Sequence, residues 1–94
     1  MKLEWSAAAL ADLDRFADFL HDRHPWLAKI VAAEIKSRAE ILLEHPLIGK
    51  PIVGRAEFRE LILEVLNARY VFRYATDGGR LVILRVFHGR ELRE

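Results

Sequence analysis

The stretch FRELILEVLNARYVFRYATDGGRLVILRVF, residues 58–87, decides the fold. Three segments within it, 58–65, 69–75 and 80–87, are rich in β-branched and aromatic residues and have the length of strands. Asp77-Gly78-Gly79 closes the second hairpin, because glycine reaches the positive φ that tight hairpin turns demand, and Asn67-Ala68 is the expected tip of the first. The product is an antiparallel three-stranded meander. Alternation then assigns faces. Tyr70, Phe72 and Tyr74 lie opposite Arg69, Val71 and Arg73, while Leu81, Ile83, Arg85 and Phe87 lie opposite Val82, Leu84, Val86 and His88. With helices over the apolar even-numbered set, Arg73 and Arg85 are expected to emerge together on the uncovered face, within reach of Glu60 and Glu64.

Upstream of the meander the period is helical. Residues 1–5 alternate polar and apolar side chains and read as a brief edge strand stopped by Ser6, a good N-cap. A helix to about Arg23 places Leu10, Leu13, Ala17 and Leu20 on one stripe, flanked by Phe16, with Asp12, Asp14, Asp18 and Asp22 expected on the solvent side. Pro25 suits the first turn of a second helix running to about Glu44, with Leu27, Val31, Ile35, Ala39 and Leu42 facing inward. His45-Pro46 ends it, and Gly49, Pro51 and Gly54 mark a loop to about Glu57. The expected fold class is α+β: an N-terminal helix hairpin packed on one face of a small antiparallel β-sheet, with the first strand at an edge.

Composition narrows the function. A chain of 94 residues has room for one domain, and 52% hydrophobic with 31% charged residues is too apolar for intrinsic disorder. The absence of cysteine excludes disulfide scaffolds, thiolate zinc sites and thiol nucleophiles. No apolar run has the length of a membrane span, and an acidic residue as early as Glu4 argues against a secretory signal, so a cytoplasmic protein is expected. The net charge of +1 hides an asymmetry: residues 1–48 sum to −2 and residues 49–94 to +3, with eight arginines among the nine basic residues of the second half. Arginine suits bidentate carboxylate or phosphate contacts, which points to an anionic partner. His21 and His24 have a spacing that can chelate a metal on a helix, but a third ligand has no obvious donor beyond the helix-end acids, and a solvated helix end is expected. Trp5 and Trp26 adjoin helix starts and are expected to cap the core. No nucleotide-binding loop or nucleophile elbow occurs, and neither a cofactor nor a metal is expected.

The order helix hairpin, proline-glycine loop and meander, together with HPLIGKP at 45–51, FREL at 58–61, RYVFRY at 69–74 and RLVILRVFHGRE at 80–91, resembles the RelE/ParE toxin superfamily over nearly the whole of residues 1–94. The resemblance implies the toxic half of a type II toxin–antitoxin pair, neutralised by a cognate antitoxin that wraps it. Two targets occur in the superfamily. RelE-like members cut messenger RNA on the ribosome, and ParE-like members inhibit DNA gyrase without being nucleases.

Metal-free RNA cleavage through the 2′-hydroxyl needs a proton acceptor, cations for the phosphorane charge and a proton donor for the leaving oxygen. Matched strand by strand, Arg59 and Arg90 fall where the family places basic groups, but Leu61 and Tyr70 stand where nuclease members carry strand cations, and a terminal tyrosine is lacking. The resemblance therefore implies the ParE-like branch, with DNA gyrase as partner; the alternatives are a RelE-like endoribonuclease acting on ribosome-bound messenger RNA and a non-toxic scaffold of the same fold. The target-contact candidates are Arg73, Arg85, His88 and Arg90, with Arg59 secondary and no catalytic residue assigned. Arg73 and Arg85 equally suit a cross-strand ion-pair ladder with Glu60 and Glu64. For His88 a structural role stands beside that of an acid or base. Neither membrane association nor sequence-specific DNA binding by this chain alone is expected.

Overall fold

Ser6 makes the first structural decision. In the computed structural model, which describes residues 1–91, its Oγ accepts the Ala9 N–H at 3.0 Å and donates to Leu84 O at 2.8 Å, while its own N–H reaches Ile83 O. One residue thus ends β1 (Lys2–Trp5), caps α1 (Ala7–His21) and pins both to β5 (Arg80–His88). Pro25 opens α2 (Pro25–Ala39), where a missing N–H costs nothing. The helix expected to reach Glu44 instead tightens at Glu40, whose N–H bonds back to Ser37 O, and resumes as the single turn α3 (Ile41–Glu44). That adjustment keeps Ile35, Ala39 and Leu42 on one fully buried line. No helix among the described residues is long and apolar enough to cross a membrane.

The sheet has five strands in the order β1-β5-β4-β3-β2, with β3 at Arg55–Val65 and β4 at Ala68–Asp77. The meander and the edge position of β1 follow the sequence reading. Three details differ. The edge strand β1 runs parallel to β5, making the sheet mixed. The supposed loop contains a short strand, β2 (Lys50–Ile52), paired antiparallel with β3, where Pro51 is tolerated because an edge strand has N–H groups to spare. The first hairpin turns on Leu66 and Asn67, both at positive φ, one residue earlier than expected.

A register shift in β5 corrects the assignment of faces. Arg73 pairs with Arg85 but Tyr74 pairs with Ile83, which leaves Leu84 without an opposite residue. Before this bulge the buried residues are the odd Leu81 and Ile83; after it Val86 lies in the core. The helices therefore cover a set that changes parity, which simple alternation does not anticipate. The core joins Leu13, Phe16, Val31, Ile35 and Leu42 of the helices to Phe72, Tyr74, Leu81, Ile83 and Val86 of the sheet. Three further expectations fail. Leu10 is exposed, Trp26 is 70% exposed at the start of α2 rather than capping the core, and Asp12 is only 2% exposed. Trp5 does pack on the core.

Candidate functional site

Asp12 is buried because β1 stops short. Pairing between β1 and β5 ends at Ile83, so the outer edge of β5 beyond it presents unpaired backbone, and α1 runs alongside. Asp12 sits on the α1 stripe with Ala9, Leu13 and Phe16, and its carboxylate accepts the Val86 N–H at 2.9 Å. It also accepts Arg85 Nε at 2.8 Å and Nη2 at 2.9 Å, and Arg15 Nη1 at 2.6 Å. Burial by itself raises the carboxyl pKa, but the donors from Arg85, Val86 and Arg15 outweigh it and hold Asp12 below its ordinary value. Arg15 carries the chain of charges onward: its Nε and Nη2 grip Glu91 at 3.2 and 2.9 Å. Glu91 in turn accepts the His88 N–H at 2.6 Å, and these donors lower its pKa against the opposing effect of burial.

The expected site residues fall in three places. Arg73 and Arg85 do emerge together on the sheet face away from the helices, with their guanidiniums 5.3 and 4.9 Å from the Phe87 ring centroid. Arg73 is bound to the facing Glu60, by Nε at 3.0 Å and Nη2 at 2.8 Å, as a cross-strand pair. Arg85 reaches round the sheet edge to Asp12 rather than to Glu64. Arg59 lies near β2 and donates to the carbonyls of Leu47 and Gly49 at 3.2 and 2.7 Å, holding the segment between α3 and β2. Tyr74 fastens the same segment from beneath: its hydroxyl donates to Pro46 O and accepts the Gly49 N–H. A Cβ at Gly49 would stand 2.7 Å from that hydroxyl oxygen, so only glycine fits.

His88 and Arg90 belong to a third place, a groove of about 830 Å³ between the helix hairpin and the far end of the sheet. Its floor is apolar, with Phe16, Leu20, Leu27, Val31, Leu66 and Tyr70. Arg15, Arg23, Arg69 and Arg90 line it too, and Glu91 is the one acidic residue among its described lining. Phe16, Tyr70 and His88 form an edge-to-face column at 5.1 and 5.3 Å between centroids. Burial raises the Tyr70 pKa, with the Glu91 charge adding to it. The backbone N–H of Arg90 donates to His88 Nδ1 at 3.2 Å. Sequence reasoning missed Asp12, Arg15 and Glu91. The available signal was the position of Asp12 on the same helical line as Ala9, Leu13 and Phe16.

The helix hairpin packs on a mixed sheet beside a cation-lined apolar groove, and a match to a known family assigns the class, a toxin of a type II toxin–antitoxin system. Residues 3–93 match the family described as the ParE toxin of the type II toxin–antitoxin system, parDE, and the chain belongs to that family. It is 34% identical to Toxin RelE2 of Caulobacter vibrioides over 88 residues, 94% of each chain. In fold it is similar to a chain of the chromosomal ParDE TA system from P. aeruginosa, with a TM-score of 0.76 at 23% identity over 94% of this chain and 95% of that one. Membership implies a cognate antitoxin as partner.

Proposed function

We propose that this toxin acts in the cytoplasm by inhibiting DNA gyrase through protein–protein contact, and that its antitoxin docks in the groove beside the helix hairpin. The observation that carries the target is that neither strand position of a nuclease cation in the resemblance holds one, since Leu61 and Tyr70 stand there. An RNA-cleaving centre needs an acid, a base and phosphorane-stabilising cations around one phosphate. Here Arg73 and Arg85 lie on one face of the sheet, His88 and Arg90 at the groove, and Arg59 is engaged with two backbone carbonyls. Leu61 and Tyr70, at the positions of nuclease cations in the resemblance, both pack against the core. The matched family, whose description names parDE, supports the same branch. The name RelE2 of the Caulobacter relative keeps ribosome-bound messenger RNA as the competing target.

Addition of purified toxin should block gyrase supercoiling of a relaxed plasmid and leave ribosome-bound messenger RNA uncut in a primer-extension assay. Codon-specific cuts with unaffected supercoiling would reverse the assignment. Antitoxin docking is supported by the apolar floor and arginine-lined walls, which suit an amphipathic acidic segment. Pull-down of the tagged toxin from its native operon should return a small acidic-tailed protein, and substitution of Leu27 by Asp in the floor should abolish its recovery.

A further inference from the structure

Among the groove's arginines, Arg15 is built differently. Its Nη1 is fixed by the buried carboxylate of Asp12, and its guanidinium lies 4.8 Å from the centroid of the Phe16 ring. Both contacts hold the planar group in one orientation, so the Nε/Nη2 edge, the one that matches two carboxylate oxygens, is presented as a rigid fork. Glu91 fills that fork with one oxygen on each nitrogen. The two partners differ in how firmly the fold holds them. Arg15 projects from the middle of α1, whereas Glu91 follows Gly89 beyond the end of β5, where the last ladder-like bond is Gly89 N–H to Arg69 O at 2.7 Å. The pair is 41% and 34% exposed, which leaves it open to exchange with a competing anion.

We propose that Arg15 is a receptor for a carboxylate of the docking antitoxin, and that Glu91 is its intramolecular placeholder, displaced when the partner enters the groove. The idea rests on the docking reading above and adds what occupies the Arg15 fork until then. A carboxylate is the fitting occupant on two counts. The fork already binds one in bidentate geometry, and the adjoining floor of Phe16, Leu20 and Leu27 suits an apolar helix face better than the charged backbone of a nucleic acid. Release of Glu91 also removes the acceptor of the His88 N–H, so docking loosens the turn that carries Arg90. The placeholder reduces the apparent affinity by the fraction of molecules in which the fork is empty.

The test uses the full chain, labelled with ¹⁵N, and follows the Arg15 Nε–H resonance while glutarate or inorganic phosphate is added. Glu91→Gln should tighten glutarate binding by about three- to ten-fold, the factor by which a partly exposed ion pair holds its closed state. Amide exchange at His88 should accelerate in the same variant. Arg15→Lys retains the charge but not the fork, and should lose the gain when combined with Glu91→Gln. Unchanged glutarate affinity in Glu91→Gln would overturn the placeholder, and tighter binding of phosphate than of glutarate would overturn the carboxylate assignment. Neither antitoxin nor gyrase enters this titration, so a negative result counts against the placeholder alone, while the pull-down counts against the docking partner alone.

Discussion

The two faces of the sheet use the same side chain to opposite ends. On the face away from the helices, Arg73 and Arg85 lie over Phe87 with their fork edges committed to Glu60 and Asp12. At the groove, Arg15 is committed as well, but among the described residues the guanidiniums of Arg69 and Arg90 have no ion-pair partner. A count of arginines therefore says little about where an anion binds. What separates the committed arginines from those without an ion pair is the supply of internal carboxylates, and the clearest case is Asp12, which is bound to Val86 N–H, Arg85 and Arg15 at once.

The largest expected effect comes from breaking that case. Asp12→Ala leaves the buried Val86 N–H without a partner and deprives two half-exposed arginines of their anion, and should cost about 3 kcal/mol in chemical denaturation, the upper end of the range for a buried donor that loses its acceptor. The pH dependence follows in sign. A carboxyl whose folded pKa lies below its unfolded value, about 3.9, stabilises the fold fully above that value and loses its contribution as pH falls through the folded pKa. The stability gap between wild type and Asp12→Asn should accordingly be constant from neutral pH to about 5 and shrink below about 4. A gap that persisted unchanged at pH 2 would show that Asp12 acts through shape and not through charge.

Next in size is Gly49→Ala, at the end of the molecule remote from the groove. The added carbon would meet the Tyr74 ring and hydroxyl and the backbone of Glu60, none of which can retreat cheaply. A loss of about 1–3 kcal/mol is expected, as for overpacking elsewhere. Since this end takes no part in the groove, antitoxin recovery should be unaffected below the melting temperature. Loss of antitoxin at full folding would place the segment fastened by Arg59 in the interface.

These two sites also show what was legible in the sequence. The meander, the helix hairpin and the glycine turn at Gly78-Gly79 were legible because each has its own local period or its own φ requirement. The strand β2 was not, because three residues containing Pro51 carry no strand period, and its pairing is decided by β3. The bulge opposite Arg73 and Tyr74 has no local signature either, yet it alone changes which residues of β5 meet the helices. For the site, the emergence of Arg73 follows from the parity of β4, but Arg85 shares its face only because the bulge shifts the parity of β5 after Ile83, and the charge of Asp12 points to solvent although the residue is buried. The reason it is inside lies far away in the chain, in the free Val86 N–H where β1 ends.

On the face away from the helices, Arg73→Ala should cost less than about 1 kcal/mol. It removes a cross-strand ion pair and a contact with the Phe87 ring, both partly exposed. If gyrase is met through this face, gyrase inhibition should weaken while antitoxin recovery stays normal. The reverse outcome, in which the antitoxin is lost and gyrase is still inhibited, would interchange the roles of the two faces.

The smallest expected effect on stability is at Arg90, and its meaning is therefore the sharpest. Its exposed side chain makes no ion pair among the described residues, and the one bond it lends to the fold, N–H to His88 Nδ1, belongs to the backbone and survives in Arg90→Ala. Stability should change by within about 0.5 kcal/mol. Any functional loss must then come from a contact made outside the chain. If the guanidinium meets a desolvated carboxylate of the target, truncation costs about 2–5 kcal/mol, or at least a thirty-fold weaker association. Growth arrest on expression without antitoxin should fall accordingly. Antitoxin affinity should fall much less, because the apolar floor from Phe16 to Val31 is untouched. Arg69→Ala is the control from the same groove wall, with a guanidinium that likewise makes no ion pair among the described residues. Equal losses in both variants would mean that the groove attracts its partners by net charge, whereas a loss confined to Arg90 would make the end of β5 a defined contact. Undiminished arrest in Arg90→Ala would remove this residue from the target surface and leave the face bearing Arg73 and Arg85 to carry it.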